Sequence, residues 1–355
     1  MNAHRWDKLH RFASEQHLDA LFVTDPEDVA YLTGFQPGSL IVSSEGEAHL
    51  LVDETDYAEA ESVVTECELL RADEGSILER MAGLLRSGGI DRLGYSAALS
   101  HDKFLRLDRL ARRRRLCRQL VVMHGLGRRL RGVKDDEALA QVKRCCAAVD
   151  SAFSRVLEVI EEGMTEFQLA AEIESVLRRG GSEVFPFPTV VGSGPRSAYP
   201  HASPTGRSMS RHDLVLCDFG ARMGQGIADM TRTLVIREAD SEQRKVHDTV
   251  MRAREEALQM IAPGRRPCDI DSAARRKISS FGYGAYFPHG LGHSLGGGPD
   301  LTADETEELK PGHVLTVEPG IYIPGWGGIR VEDVVLVTAD GYCVLTRSPR
   351  RLIEV

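Results

Sequence analysis

The sequence predicts an α+β protein of two domains, and three observations carry that prediction. A chain of 355 residues is about twice the length of a typical single domain. Its first hundred residues alternate short helical and β-rich runs. The remainder repeats one helix–Gly–helix–Gly unit, and each copy is flanked by β-rich runs. Hydrophobic residues make up 42% of the chain and charged residues 27%, close to globular averages, which excludes a fibrous or disordered chain.

Leu9, Phe12 and Leu18 set the apolar stripe of an opening helix. Ala20–Thr24 is a short strand ended by Asp25-Pro26. Ser39–Ser43 and His49–Val52 are two more, with Ser44-Glu-Gly-Glu between them as a hairpin turn. A basic block follows, with 12 Lys and Arg against 2 acidic residues over 101–134, including Arg112 to Arg115. Such a block can grip phosphate. In a chain of net charge −9 it reads as a solvated helix face near the domain boundary, and no nucleic-acid partner is expected. Lys134-Asp-Asp-Glu137 then opens a long amphipathic helix through Val142, Val149, Phe153 and Ile160, closed by Gly163. Thr165 and Gln168 form a capping-box pattern for the next helix. The boundary is set near residue 125, giving domains 1–124 and 125–355.

The repeat aligns Ala152–Gly181 with Ala253–Gly282 without a gap, at an offset of 101. Leu157 matches Leu258, Ile160 matches Ile261 and Gly163 matches Gly264. Two such halves imply a pseudo-two-fold domain whose helices cover one face of a curved sheet. The seven cysteines are scattered and form no CxxC, which points to buried thiols in a reducing compartment. No apolar run approaches the roughly 18 residues of a membrane span. The N-terminus lacks the apolar stretch of a secretory signal. A cytoplasmic protein without a membrane partner is therefore expected.

The chemistry lies on the strands of the second domain. Leu214–Cys217 is an apolar run, so Asp218 is expected at the end of a buried strand, and Asp229 at the start of the next. Joined through residues 221–225, these strands would bring the two carboxylates side by side. Carboxylates held together in a core repel each other and need a cation or a proton between them. His289 and His293 frame Gly-Leu-Gly, where glycine lets the backbone come close to a site. Glu318 follows the apolar run Val314–Val317. Glu332 stands inside Ile329–Val337, where an unpaired carboxylate is costly to bury. Each alone would pass as a satisfied buried carboxylate. Four carboxylates and one imidazole together make a donor set for two divalent cations. Two cations sharing a water could acidify it and clamp an oxyanion.

The series Asp218, Asp229, His293, Glu318 and Glu332, in its Asp-x-Thr-Arg-Thr and Ile-Arg-x-Glu-Asp contexts, resembles the pita-bread metallopeptidases. The first 120 residues are similar to the creatinase-type N-terminal domain of the proline-specific members, through Pro26–Phe35 with Tyr31-Leu-Thr-Gly-Phe35. The resemblance implies that Asp218, Asp229 and Glu332 bind one metal. Asp229, His293, Glu318 and Glu332 would bind the other. It makes Glu318 the general acid/base. It also implies that His201 steadies the substrate, that His289 lines the proline pocket, and that Thr231 and Arg330 orient ligands. It implies two divalent ions, Mn2+ ahead of Co2+ or Zn2+, a homodimer, and Xaa-Pro dipeptides as substrates. Aminopeptidase P action on longer peptides is the alternative, and a non-catalytic binding protein on the same fold a more distant one. Three positions depart from the family pattern. Gly226 replaces a Tyr, Asp300 a His, and Asp304 the Arg that reads a dipeptide's carboxylate.

Overall fold

The computed structural model describes residues 3–43, 45–72, 76–85 and 89–355. The chain divides into two compact units, Met1–Arg131 and Gly132–Val355.

In the first unit the order is α1 (Ala3–Glu15), β1 (Ala20–Val23), α2 (Pro26–Thr33), β2 (Ser39–Ser43), β3 (Ala48–Val52), α3 (Glu54–Val63), β4 (Glu68–Arg71), α4 (Ile77–Leu84), β5 (Arg92–Ser96), α5 (His101–Arg114), β6 (Gln119–Met123) and α6 (Leu126–Arg131). The strands form one mixed sheet in the order β4-β3-β2-β1-β5-β6. The period of two along a strand sorts its side chains into two cores. Leu21 and Val23 of β1 pack with Leu9, Phe12 and Leu32, whereas Ala20 and Phe22 pack with Met81, Leu107 and Leu110. Asp25-Pro26 does more than end β1. The Asp25 carboxylate accepts the N–H groups of Glu27 and Asp28, and Pro26 opens α2. In the expected turn, Ser44 lies outside the described residues.

The boundary falls after Arg131, not after residue 124, because α6 belongs to the first core: Leu126 and Leu130 pack with Leu9 and Leu32. Much of the basic block is matched locally. Arg112 pairs with Asp108 at 2.9 Å, and Arg113 and Arg114 with Glu79 at 2.5 and 2.8 Å. Arg118 faces Asp91 at 3.3 Å. Exposed pairs of this kind add only about 0–1 kcal/mol each.

The second unit runs α7 (Asp136–Val159), α8 (Glu166–Arg179), β7 (Val190–Ser193), β8 (Leu214–Met223), β9 (Gly226–Val235), α9 (Ser241–Met260), α10 (Pro267–Ser280), β10 (Val314–Val317), β11 (Gly320–Ile323), β12 (Gly327–Arg330), β13 (Asp333–Val337), β14 (Tyr342–Val344) and β15 (Ile353–Glu354). The two repeat copies are the pairs α7–α8 and α9–α10. Gly163, Gly181, Gly264 and Gly282 all have φ between +79° and +94°, a backbone state that a Cβ disfavours, so the stop glycines recur in both copies. The capping box at Thr165 and Gln168 is present. The strands divide into three hydrogen-bonded groups, β15-β9-β8-β7, β10-β13-β14 and β11-β12, in place of the single curved sheet expected. Each helix pair covers its own core. Val142, Phe153 and Ile173 pack on Phe219 and Met230, and Val250, Ile270 and Ile278 pack on Leu315, Ile329 and Val335.

All seven cysteines are unpaired; Cys145, Cys146 and Cys217 are buried, while Cys343 is exposed. Among the described residues no helix is long and apolar enough to cross a membrane.

Candidate active site

The β8–β9 hairpin turns at Gly224-Gln225, tighter than expected, because pairing continues to Met223 opposite Gly226. Asp218 therefore lies mid-strand and not at a strand end. It stands opposite Thr231, and Asp229, the fourth residue of β9 and not its first because the pairing begins at Gly226, stands opposite Gly220. Since Asp229 and Thr231 are two residues apart, the two carboxylates are diagonal neighbours on one face of the hairpin. Glu318 directly follows β10, as expected. Its N–H donates to Leu291 O at 2.8 Å, tying it to the His289–His293 segment. Gly292 permits that approach: a Cβ there would sit 2.1 Å from Thr316 O. Glu332 is not inside a strand. It occupies the break between β12 and β13, where its N–H donates to Thr231 O at 3.1 Å.

These residues meet in one cavity of about 630 Å³, lined by Asp218, Asp229, His293, Glu318, Glu332, His201, His289 and Arg330. Asp229, His293 and Glu332 each offer a ligand atom within 4.8 Å of the others. His293 Nε2 is 3.3 Å from Asp229 Oδ2 and 3.6 Å from Glu318 Oε1. Arg330 braces the floor: Nη2 donates to Asp218 Oδ2 at 2.5 Å and Nε to Thr231 Oγ1 at 2.8 Å. The Thr231 hydroxyl in turn donates to Glu332 Oε2 at 2.7 Å.

One oxygen of Asp218 and one of Glu332 is thus held by a protein donor, and Asp229 Oδ2 faces His293. The other oxygen of each, Asp218 Oδ1, Asp229 Oδ1 and Glu332 Oε1, is buried without any hydrogen-bond partner. Buried acceptors left unpaired cost about 1–3 kcal/mol each, so three around one imidazole are unfavourable without a cation. The ionisation of these groups carries the same strain. Burial, then the Asp218 charge, raises the Asp229 pKa to about 8. Glu332 is pushed well above the carboxylate range by burial and by the Asp229 and Glu318 charges. Burial alone would lower His293, but Asp229 and Glu318 outweigh it and raise its pKa to about 9. Oxygen and imidazole donors starved of positive charge fit one or two divalent cations.

Both further histidines line the cavity. His201 is exposed on the segment that follows β7. His289 Nε2 lies 2.8 Å from Tyr322 Oη, and burial lowers the His289 pKa to about 4, which keeps the ring neutral. Tyr322 escaped the sequence reading. It is buried, and its hydroxyl receives Arg330 Nη1 at 2.8 Å, so it joins His289 to the carboxylate floor. Its only sequence signal is a polar-tipped aromatic inside the run Gly320–Ile323.

The departures take definite places. Asp300 lines the cavity and accepts the Ser294 N–H at 2.8 Å. Asp304 is exposed and accepts the Thr302 hydroxyl. Gly226 is required by packing: a Cβ there would lie 2.4 Å from the Gln141 carbonyl carbon and 2.6 Å from Val142 N in α7.

The family model described as Metallopeptidase family M24 matches residues 140–339, more than half of the chain. The chain belongs to metallopeptidase family M24. A second model, Creatinase/Prolidase N-terminal domain, matches residues 5–133, the first unit. The chain's relatives include Xaa-Pro dipeptidase from Pyrococcus furiosus, 33% identical over 98% of this chain and 99% of that one. Among solved structures similar to this chain, Xaa-Pro dipeptidase from Bacillus anthracis is 29% identical with a TM-score of 0.92, covering 99% of both chains. X-Pro aminopeptidase from Thermotoga maritima is 30% identical with a TM-score of 0.89, also covering 99% of both. The fold is the α+β pita-bread fold of this family, with a creatinase-like N-terminal domain.

Proposed function

We propose that this chain is a two-metal Xaa-Pro dipeptidase that hydrolyses the peptide bond before a C-terminal proline. The observation that carries the reading is the set of three unpartnered carboxylate oxygens on Asp218, Asp229 and Glu332, gathered with His293 in one cavity. The proline preference is taken from the M24 relatives that bear that name. Asp218, Asp229 and Glu332 would hold one cation, and Asp229, His293, Glu318 and Glu332 the other. Manganese(II) is the proposed metal, and cobalt(II) or zinc(II) suits the same donors. Two divalent cations bound there polarise a scissile carbonyl and lower the pKa of a water.

Glu318 carries the proton. Burial raises its pKa and Thr316 Oγ1 holds its Oε1 at 3.0 Å, so the carboxyl can take a proton from the attacking water and return it to the prolyl nitrogen. His201 contacts the reacting carbonyl, and the neutral His289 ring forms part of the proline pocket. Arg330 and Thr231 fix the orientations of Asp218 and Glu332. A homodimer in the cytoplasm completes the proposal.

The test is hydrolysis of Ala-Pro by metal-stripped protein reloaded with Mn2+, Co2+ or Zn2+, with Glu318→Ala as control. Turnover restored by one of these metals and abolished by Glu318→Ala is expected; no turnover with any metal would overturn the reading. Asp304, a carboxylate where dipeptidases of the family place a carboxylate-reading Arg, favours a second reading: Xaa-Pro aminopeptidase action on longer peptides. A strong preference for Ala-Pro-Ala over Ala-Pro would establish it.

A further inference from the structure

The segment that presents His201 runs from Ser193 to Thr205, and one buried carboxylate joins its two ends. Glu166, the first residue of α8, is fully buried. Its Oε1 accepts the Ser193 N–H and hydroxyl, both at 2.8 Å. Oε2 accepts the Thr205 N–H at 2.9 Å and the Thr205 hydroxyl at 2.6 Å. Arg196 Nε donates to both oxygens at 3.2 and 3.1 Å, and Arg196 Nη2 crosses the loop to Ser203 O at 2.6 Å. The geometry is that of a loop closed at its base by its own polar contacts. We propose that Glu166 is a positioning residue for the reaction, clamping both ends of the 193–205 loop so that His201 is held at the cavity.

The clamp needs a carboxylate, not merely a polar side chain. A carboxylate accepts on both oxygens, whereas an amide accepts on one and turns N–H donors outward on the other. Glu166→Gln would therefore confront either Ser193 or Thr205 with a donor facing donors, while volume and shape stay the same. Releasing one end loosens the base of the loop and leaves His201 to the contacts nearer its tip, where Arg330 Nη1 donates to Pro200 O at 3.1 Å and the Gly328 N–H to Ser197 Oγ at 2.8 Å, so that the ring can shift by about an ångström. Such a misplacement can cost about a hundredfold in rate. Burial raises the Glu166 pKa, but the Thr205 and Ser193 donors and Arg196 outweigh it, so the group stays below its ordinary value and ionised.

This inference rests on the dipeptidase reading of His201, and its test separates the two. Glu166→Gln, His201→Ala and the double variant are compared for kcat and KM on Ala-Pro, together with amide hydrogen exchange across 193–205 and the imidazole NMR signals of His201. Thr205→Val, which removes one hydroxyl donor, serves if Glu166→Gln does not fold. The expected result is a loss of about tenfold or more in kcat/KM for Glu166→Gln that shrinks below about twofold in the His201→Ala background. Faster exchange confined to the loop and displaced His201 signals are expected alongside. Losses that multiply independently, or unchanged loop exchange and His201 signals, would overturn the clamp. If the parent protein cleaves no Xaa-Pro dipeptide, the dipeptidase reading fails, and exchange and His201 signals alone decide the clamp.

Discussion

Thr231→Val probes the floor of the site with the smallest change in shape. Valine is isosteric and β-branched, so β9 loses neither volume nor strand preference. The lost hydroxyl donates to Glu332 Oε2 at 2.7 Å and accepts Arg330 Nε at 2.8 Å, all three residues being buried. Glu332 would then have both carboxyl oxygens unpaired, and Arg330 a buried N–H without an acceptor. Each orphan costs about 1–3 kcal/mol, so the metal-free protein should lose about 2 kcal/mol or more. Groups that orient metal ligands typically contribute 10–100-fold in affinity, or about 1.4–2.7 kcal/mol. Mn2+ titration by calorimetry should show Kd weakened within that range, with a lower melting temperature. Thr231→Ser, which keeps the hydroxyl, should restore most of both. A Thr231→Val Kd within about twofold of the parent, with an unchanged melting temperature, would refute the assignment of Thr231 as the orienting donor.

Three further outcomes follow from the same geometry. Gly226→Ala should destabilise the second unit by about 1–3 kcal/mol in urea melts, because its Cβ would press on the α7 backbone 2.4 Å away. Cation uptake should expel protons, since the Asp229 pKa is raised to about 8 and that of Glu332 well above its ordinary value; Mn2+ affinity should fall as pH drops through about 8, and calorimetry in buffers of different ionisation enthalpy should register the released protons. Burial lowers the His247 pKa below its ordinary 6.5, while Arg350 O lies 2.9 Å from its Nε2. Below pH 6.5 the unfolded chain takes up this proton first, so His247 costs stability as pH falls. Urea melts at pH 7.5 and 5.5 should show a smaller acid loss for His247→Gln than for the parent.

Legibility in the sequence followed the range over which each feature is encoded. Helix pairs and their stop glycines were readable because capping and positive φ are local properties, as at Thr165 and Gly163. The four carboxylates of the candidate site stood out because a carboxylate in an apolar run conflicts with burial, and His293 stood out only by its flanking glycines. Their positions within strands were less so: hydrophobicity continues through Ile329–Val337, but the backbone breaks at Glu332 because its N–H is taken by Thr231 O on another strand. Partners distant in sequence left no signal of this kind. Tyr322 joins His289 and Arg330 only once β11 and β12 pair, and Glu166 meets Ser193 and Thr205 only when the loop closes. The boundary was misplaced because α6 looks like part of a charged linker until Leu126 and Leu130 find the core beside Leu9.

The break at Glu332 also marks a seam. Asp218 and Asp229 come from the half built on α7 and α8, and His293, Glu318 and Glu332 come from the half built on α9 and α10. Neither half alone holds the whole of the proposed donor set. A cation shared across the seam would act as a removable staple, coupling the halves so that separating them also requires its release. Two fragments cut in the Ile236–Asp240 connection would each be deficient, with two donors in one and three in the other. Their reassembly would rest on the cores that the halves share, where Val314 and Val334 pack with Phe153 and Leu214 packs with Val250, and a cation bound by the proposed donors would add to it.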